Sequence, residues 1–306
     1  MVAIMLAALF PGQGSQAVGM AKDFYEHSPA AKAVLDEAES ALPGLLKLMW
    51  EGPAETLQLT ANQQPALVAA GAAAYAAYKE ASVTLPTFAA GHSLGEFTSH
   101  VAAGSLSITQ AVALVRKRGE YMQRAVPEGI GAMAAIMKVT RDKIETICQE
   151  TEGVVEIANL NALEQTVISG EAKAVETASE TLKREGARVI PLKVSAPFHC
   201  SLMKPAADLL AKDLAQTSFA EPSLKIICNV TANVLNNIAE AKPLLEKQVT
   251  APVRWVESVM KLKELGVTTF LEFGSGKVLT GLVGRILDDI DARAVTDMGS
   301  LKEVLS

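Results

Sequence analysis

The stretch TFAAGHSLGEF, residues 87–97, decides how the chain is read. A short apolar run (87–90) leads into a serine flanked at two residues' distance by Gly91 and Gly95. Leu94, Phe97 and Val101 then recur at the spacing of a core-facing helix. Strand, tight turn and helix in that order make a nucleophile elbow, where the serine's backbone is strained and its neighbours must be small. The helix N-terminus would set backbone N–H groups and the positive end of the dipole beside the serine oxygen. A G-x-S-x-G match is common in a chain with 21 glycines, and a serine hydroxyl is a weak nucleophile without a base. The elbow therefore stands or falls on what the rest of the chain supplies.

Outward from it, strand-like runs at 2–10, 87–90, 224–230, 268–272 and 292–296 alternate with helical patterns. This predicts an α/β fold with a mainly parallel sheet covered on both faces. One stretch departs from that rhythm. Residues 133–139, 141–150, 154–159, 165–169, 171–185 and 188–194 read as strand, helix, strand, strand, helix, strand, the βαββαβ order of a ferredoxin-like unit. It is expected as an inserted subdomain over 128–196, hinged at Pro127-Glu128-Gly129 and Ala196-Pro197, within a core formed by 1–127 and 197–306.

Composition narrows the function classes. A formal net charge of −6 and a pI of about 5.4 argue against nucleic-acid binding, which needs a basic surface. Hydrophobic residues make up 49% of the chain and the mean hydropathy is +0.23. The longest apolar stretch, Pro65 to Tyr78, is nevertheless too short to span a bilayer and reads as a buried helix. The early run from Val2 to Phe10 has no basic residues before it and reads as a strand rather than a signal segment. Cys148, Cys200 and Cys228 are odd in number and widely spaced, with no metal or redox motif. A reduced, cytoplasmic setting without membrane association is the expectation.

The base follows by elimination among four histidines. His92 adjoins Ser93 on a tight turn and should point elsewhere. His100 lies roughly 10 Å along the same helix. His27 sits in the polar stretch KDFYEHSP. His199 remains, downstream of the serine in hydrolase-type order and in a loop directly after the insertion. The only aspartate between them, Asp142, begins a surface helix of the insertion and completes no convincing triad; a backbone carbonyl could orient the imidazole instead. In FPGQGSQ (10–16), glycines on both sides of Gln13 suit either a plain turn or an oxyanion-hole N–H paired with that of Leu94. In the helix expected over 108–126, Arg118 falls about 60° from the centre of the apolar stripe, whereas Arg116, Lys117 and Arg124 lie on the flank or opposite side. A core-facing arginine needs an anion, either a structural carboxylate or a substrate carboxylate held by the guanidinium fork.

FPGQGSQ, QQPAL, GHSLGEF, RKRGEYMQ, GAMAAI, NLNALEQTVISG, PFHCSLM and APVRW, in that order over 10–255, together with GSGKVLTGL at 274–282, resemble the malonyl-CoA:acyl carrier protein transacylases. The resemblance implies a hydrolase-like core with a ferredoxin-like insertion, and ping-pong transfer of a malonyl group from malonyl-CoA to acyl carrier protein in fatty-acid synthesis. It implies that Ser93 is acylated, that His199 is its base, and that Gln13 and Leu94 supply the oxyanion N–H groups. Arg118 would grip the malonyl carboxylate, Gln248 would orient the histidine through its carbonyl, and Gln64, Asn159 and Asn161 would line the pocket. Phe198, before the histidine, matches related polyketide transferases that take malonyl units. No cofactor or metal is implied, and a monomer is expected. The rival readings are a serine hydrolase with the same elbow, which has no use for a core-facing arginine, and an inactive scaffold of the same fold. Carrier-protein docking on an acidic enzyme would require a local basic patch, for which Arg116, Lys117, Lys183, Arg184 and Arg188 are the candidates.

Overall fold

The computed structural model describes residues 5–127, 129–194 and 196–306. A five-stranded sheet is built from β1 (Leu6–Phe10) and β2 (Phe88–Gly91). A four-stranded sheet comprises β3 (Gly131–Met137), β4 (Val155–Ala162), β5 (Gln165–Glu171) and β6 (Arg188–Pro191). The chain then returns to the first sheet with β7 (Lys225–Ile227), β8 (Thr269–Phe273) and β9 (Asp291–Val295). The larger sheet has the order β7-β2-β1-β8-β9 and every pairing in it is parallel. The smaller has the order β4-β5-β3-β6 and is antiparallel throughout. With helices Arg141–Glu150 and Ala172–Arg184, it follows the strand-helix-strand-strand-helix-strand sequence expected of the insertion.

β1 and β2 are buried along their whole length, as the strands of a covered parallel sheet must be, which is why they read as unbroken apolar runs. The alanine-rich segment forms one helix, Thr60–Ala81, buried on nearly every side. Its small side chains let Tyr75 pack edge to face on Phe10 and Phe273, and Tyr78 on Phe273, with centroids 5.2–6.0 Å apart, while Phe10 and Phe273 lie tilted against each other. Pro65 in that helix cannot donate to the Ala61 carbonyl, which instead accepts a 3.4 Å bond from Arg116 Nη1.

Several strand boundaries differ from the sequence expectation: β3 begins at Gly131, β4 runs on to Ala162 and β5 to Glu171, while three strands end early, each for a local reason. β3 stops at Met137 because Lys138 turns the chain at φ 70°. β6 stops at Pro191, and after one more bond from Leu192 N–H to Met133 the chain leaves the sheet to wall a cavity. β7 is only three residues long, because the chain bends at Cys228 and carries Asn229 beneath the elbow. Val2–Ile4 of the first expected strand and Glu128 of the first hinge lie outside the described residues. The smaller sheet is tied to the larger unit where Val253 exchanges bonds of 2.9 Å with Ala158 and Leu160 of β4, bringing Asn159 and Asn161 to the elbow's side of the molecule.

Candidate active site

The elbow is a consequence of close packing. A Cβ on Gly91 would lie 1.8 Å from the Gly95 carbonyl carbon, and one on Gly95 would lie 2.0 Å from the Phe10 carbonyl oxygen. Only glycine fits either place. Between them Ser93 is held at φ 52°, in the left-handed region a side chain rarely adopts. The strain is held by bonds from both sides: Ser93 N–H donates to Asn229 Oδ1 at 2.7 Å, and the Asn229 amide donates to the Gly91 carbonyl at 2.7 Å. Helix Gly95–Ala102 follows at once.

His199 reaches this serine from 106 residues away. Its Nε2 lies 2.7 Å from Ser93 Oγ, and its Nδ1 lies 2.9 Å from the Gln248 backbone oxygen. That carbonyl can only accept, so Nδ1 carries the proton and Nε2 is left as the acceptor facing the hydroxyl. Burial, reinforced by the nearby Arg118 charge, pushes the imidazole down to about 3, so it is a neutral base at physiological pH. The other histidines lie where elimination put them. His27 is exposed beside Asp23, and His100 is buried on Ser105 at 2.7 Å. His92 turns its Nε2 to Asn161 Oδ1 at 2.8 Å. Asp142 stands exposed in the first turn of an insertion helix.

Arg118 is fully buried, on a helix (Ile108–Ala125) that opens with a Ser107–Gln110 capping box. Nη1 donates to Gln64 Oε1 at 2.8 Å, and Nη2 reaches Gln248 Oε1 at 3.0 Å and Ser93 Oγ at 3.3 Å. Among the described residues no carboxylate pairs with it, and its Nε–H has no partner. Burial lowers the guanidinium to about 10, partly offset by Glu96, so it stays charged at neutral pH. A buried cation satisfied only by neutral oxygens has unspent capacity for an anion.

Ser93 and His199 border a cavity of about 540 Å³ that Gln13, Asn159, Asn161 and Phe198 also line, while Arg118, Gln248 and Leu94 lie behind its lining. Gln64 lies behind its wall, bonded to Arg118, while the neighbouring Gln63 lines it. Among the described residues the backbone N–H groups of Gln13 and Leu94 make no hydrogen bond, whereas those of Gly95 and Glu96 are spent on the carbonyls of His92 and Ser93. Two residues escaped the sequence reading. Asn229 is an isolated amide at the end of a short strand, with no periodicity to mark it. Glu96 is part of the elbow motif, and nothing in its spacing marks a task; its carboxylate is buried under the turn, accepting from Asn229 N–H at 3.0 Å and Gln248 Nε2 at 2.6 Å. The arrangement can deprotonate a serine, receive an oxyanion and hold an acyl group that carries its own negative charge.

Comparison with known proteins agrees with that chemistry. The acyl transferase domain family matches residues 8–303. The chain is 49% identical over 297 residues to the malonyl CoA-acyl carrier protein transacylase of Bacillus subtilis (strain 168), covering 95% of this chain and 93% of that one. It is 43% identical over 303 residues to the enzyme of the same name from Escherichia coli (strain K12), covering 98% of each. Among solved structures, an acyl carrier protein S-malonyltransferase from Vibrio cholerae O1 biovar eltor superposes with a TM-score of 0.95 at 43% identity, over 98% of this chain and 99% of that one. A malonyl-transacylase in complex with a type II PKS acyl-carrier protein superposes with a TM-score of 0.95 at 42% identity, over 98% and 99% of the two chains. An elbow serine, a downstream histidine and a buried arginine thus stand in a chain that matches one family along almost its whole length: it belongs to the acyl transferase family.

Proposed function

We propose that this acyltransferase moves the malonyl group of malonyl-CoA to the phosphopantetheine thiol of acyl carrier protein, supplying malonyl units for fatty-acid synthesis. The observation that carries the substrate choice is Arg118, fully buried, without a carboxylate partner among the described residues, and 3.3 Å from the serine oxygen. His199 Nε2 takes the Ser93 hydroxyl proton as Oγ attacks the thioester carbon. The carbonyl oxygen becomes an oxyanion, for which the unspent N–H groups of Gln13 and Leu94 are the assigned donors. Collapse breaks the carbon–sulfur bond, and the imidazolium returns its proton to the CoA sulfur. The carrier-protein thiol then gives its proton to His199 and attacks the malonyl-serine ester, restoring Ser93. Asn159 and Asn161, with Gln64 behind Arg118, are assigned to binding the substrate, and Gln248 to orienting the histidine.

The same reading takes 1–127 and 197–306 as a hydrolase-like core, 128–196 as a ferredoxin-like subdomain, and the working unit as a monomer in the cytoplasm; no helix among the described residues is long and apolar enough to cross a membrane. For carrier-protein docking, Arg116 and Lys117 are already paired with Glu120 and Asp213, and Arg184 with Glu180, which leaves Lys183 and Arg188 on the insertion as the cations of the expected set without an ion pair among the described residues. Incubation with malonyl-CoA, with and without carrier protein, followed by intact-mass analysis, tests the function. A malonyl adduct discharged quickly by carrier protein and slowly by water is expected. Rapid discharge by water alone would make the chain a hydrolase.

A further inference from the structure

None of the steps above uses Glu96, although its side chain is 1% exposed and lies at the root of the site. Gln248 Nε2 donates one hydrogen to Glu96 Oε2 at 2.6 Å and the other to the Ser93 carbonyl at 3.0 Å. Both amide hydrogens are thereby spent, and Oε1 is left to face Arg118 Nη2 at 3.0 Å. Turning the amide over would set its oxygen against the carboxylate and the Ser93 carbonyl, and its NH2 against the guanidinium. Every contact would be of like kind, which a buried network does not tolerate.

We propose that Glu96 is a positioning residue of the transfer reaction: by fixing the Gln248 amide it aims the Arg118 guanidinium at the Ser93 hydroxyl. This rests on the assignment of Arg118 to the malonyl carboxylate. The amide between them matters, because a direct Glu96–Arg118 pair would cap the fork, whereas a carboxylate one residue removed orients it and leaves it open. The same Oε2 accepts from Asn229 N–H, whose side chain clasps Ser93 and Gly91, so one buried carboxylate braces the elbow and the anion-binding arm together. Burial raises Glu96 to about 7, against the lowering by its hydrogen bonds and Arg118. Protonated or not, it retains an oxygen that accepts, and so does a glutamine in its place.

Loading of Ser93 from malonyl-CoA and from acetyl-CoA, followed by intact mass in wild type, Glu96→Gln and Glu96→Ala, tests this. Glu96→Gln should keep the malonyl-to-acetyl ratio within about threefold of wild type, and folded Glu96→Ala should lower it by about tenfold or more. An unchanged ratio in folded Glu96→Ala, or a fall in Glu96→Gln as large as in Glu96→Ala, overturns the proposal. The hydrogen-bonded Nη signals of Arg118 in 15N-arginine-labelled enzyme, assigned by their loss in Arg118→Lys, should persist in Glu96→Gln and average away in Glu96→Ala. Their persistence in Glu96→Ala overturns it too. If Glu96→Ala does not fold, Glu96→Gln decides, since losing either the ratio or the signals refutes a role as acceptor. A wild type indifferent between the two acyl groups refutes the proposed function instead, and the Arg118 signals then still read the role of Glu96.

Discussion

Beside the five-stranded sheet the chain buries Glu96, Arg118, His199, Asn229 and Gln248 within hydrogen-bond reach of one another, whereas the four-stranded sheet and its helices bury Ala134, Ile136, Ile144, Ile168, Val175 and Leu182. The first set costs desolvation and returns much of it through fixed hydrogen bonds, with the Arg118 Nε–H left over. The second is an ordinary apolar seam. The elements on either side of the cavity thus divide the work: the parallel unit carries the groups proposed to react, and the antiparallel unit lends a wall through Asn159, Asn161 and the segment after β6. Substitutions should therefore affect chemistry in one unit and stability in the other.

The largest effect is expected at Ser93. Ser93→Ala should show no acyl adduct by intact mass, and an adduct elsewhere would move the nucleophile. Next, His199→Ala should slow transfer by roughly 10²–10⁴-fold, the range for loss of a general base, with the fold kept. Near-normal turnover would remove His199 from that role.

Arg118→Ala should reduce malonyl transfer by more than about a hundredfold while leaving acetyl transfer level or improved, because charge-assisted bonds to a buried anion are worth about 1.5–3 kcal/mol each. Arg118→Lys should restore it only in part, since a point charge lacks the fork. Equal losses for both acyl groups would make Arg118 a structural cation and blur the division between the units.

In the seam, Ile168→Ala should cost about 2–5 kcal/mol in denaturant unfolding with the rate constants of the folded enzyme nearly unchanged. A loss of turnover at full folding would show that the insertion does more than wall the cavity. The smallest effect is expected on its surface. Lys183→Glu and Arg188→Glu should raise KM for carrier protein a few-fold at low salt and less at high salt, as for a rim charge. A KM indifferent to both changes would leave docking to some other face.

How much of this could be seen in the chain depended on whether a residue's task leaves a pattern. The elbow was legible because two glycines are forced by contact. Arg118 was legible because its helix has one wet side, so an arginine in the dry stripe stands out. Glu96 escaped for the opposite reason: residues 95–100 of its helix are all buried, so there is no wet side from which a charged residue is missing. Asn229 works from 136 residues away on a two-bond clasp that no local spacing encodes. Even the strands that end earlier than their apolar runs, at Met137, Pro191 and Ile227, do so where the chain turns toward another element rather than where its own sequence marks a stop.

One feature of the dyad also sets what evolution and mutagenesis can reach. His199 is oriented by a main-chain oxygen, and every amino acid brings that oxygen with it. Position 248 therefore carries two instructions in different alphabets. The one that steadies the imidazole is written in the backbone, identical in all twenty residues and invisible to any alignment. The one that steadies the guanidinium is written in the side chain and can be erased by a single codon. A saturation library at this position would sample the loss of the second freely, but could disturb the first only by bending the chain. What steadies His199 is protected from point mutation, while what steadies Arg118 remains open to change.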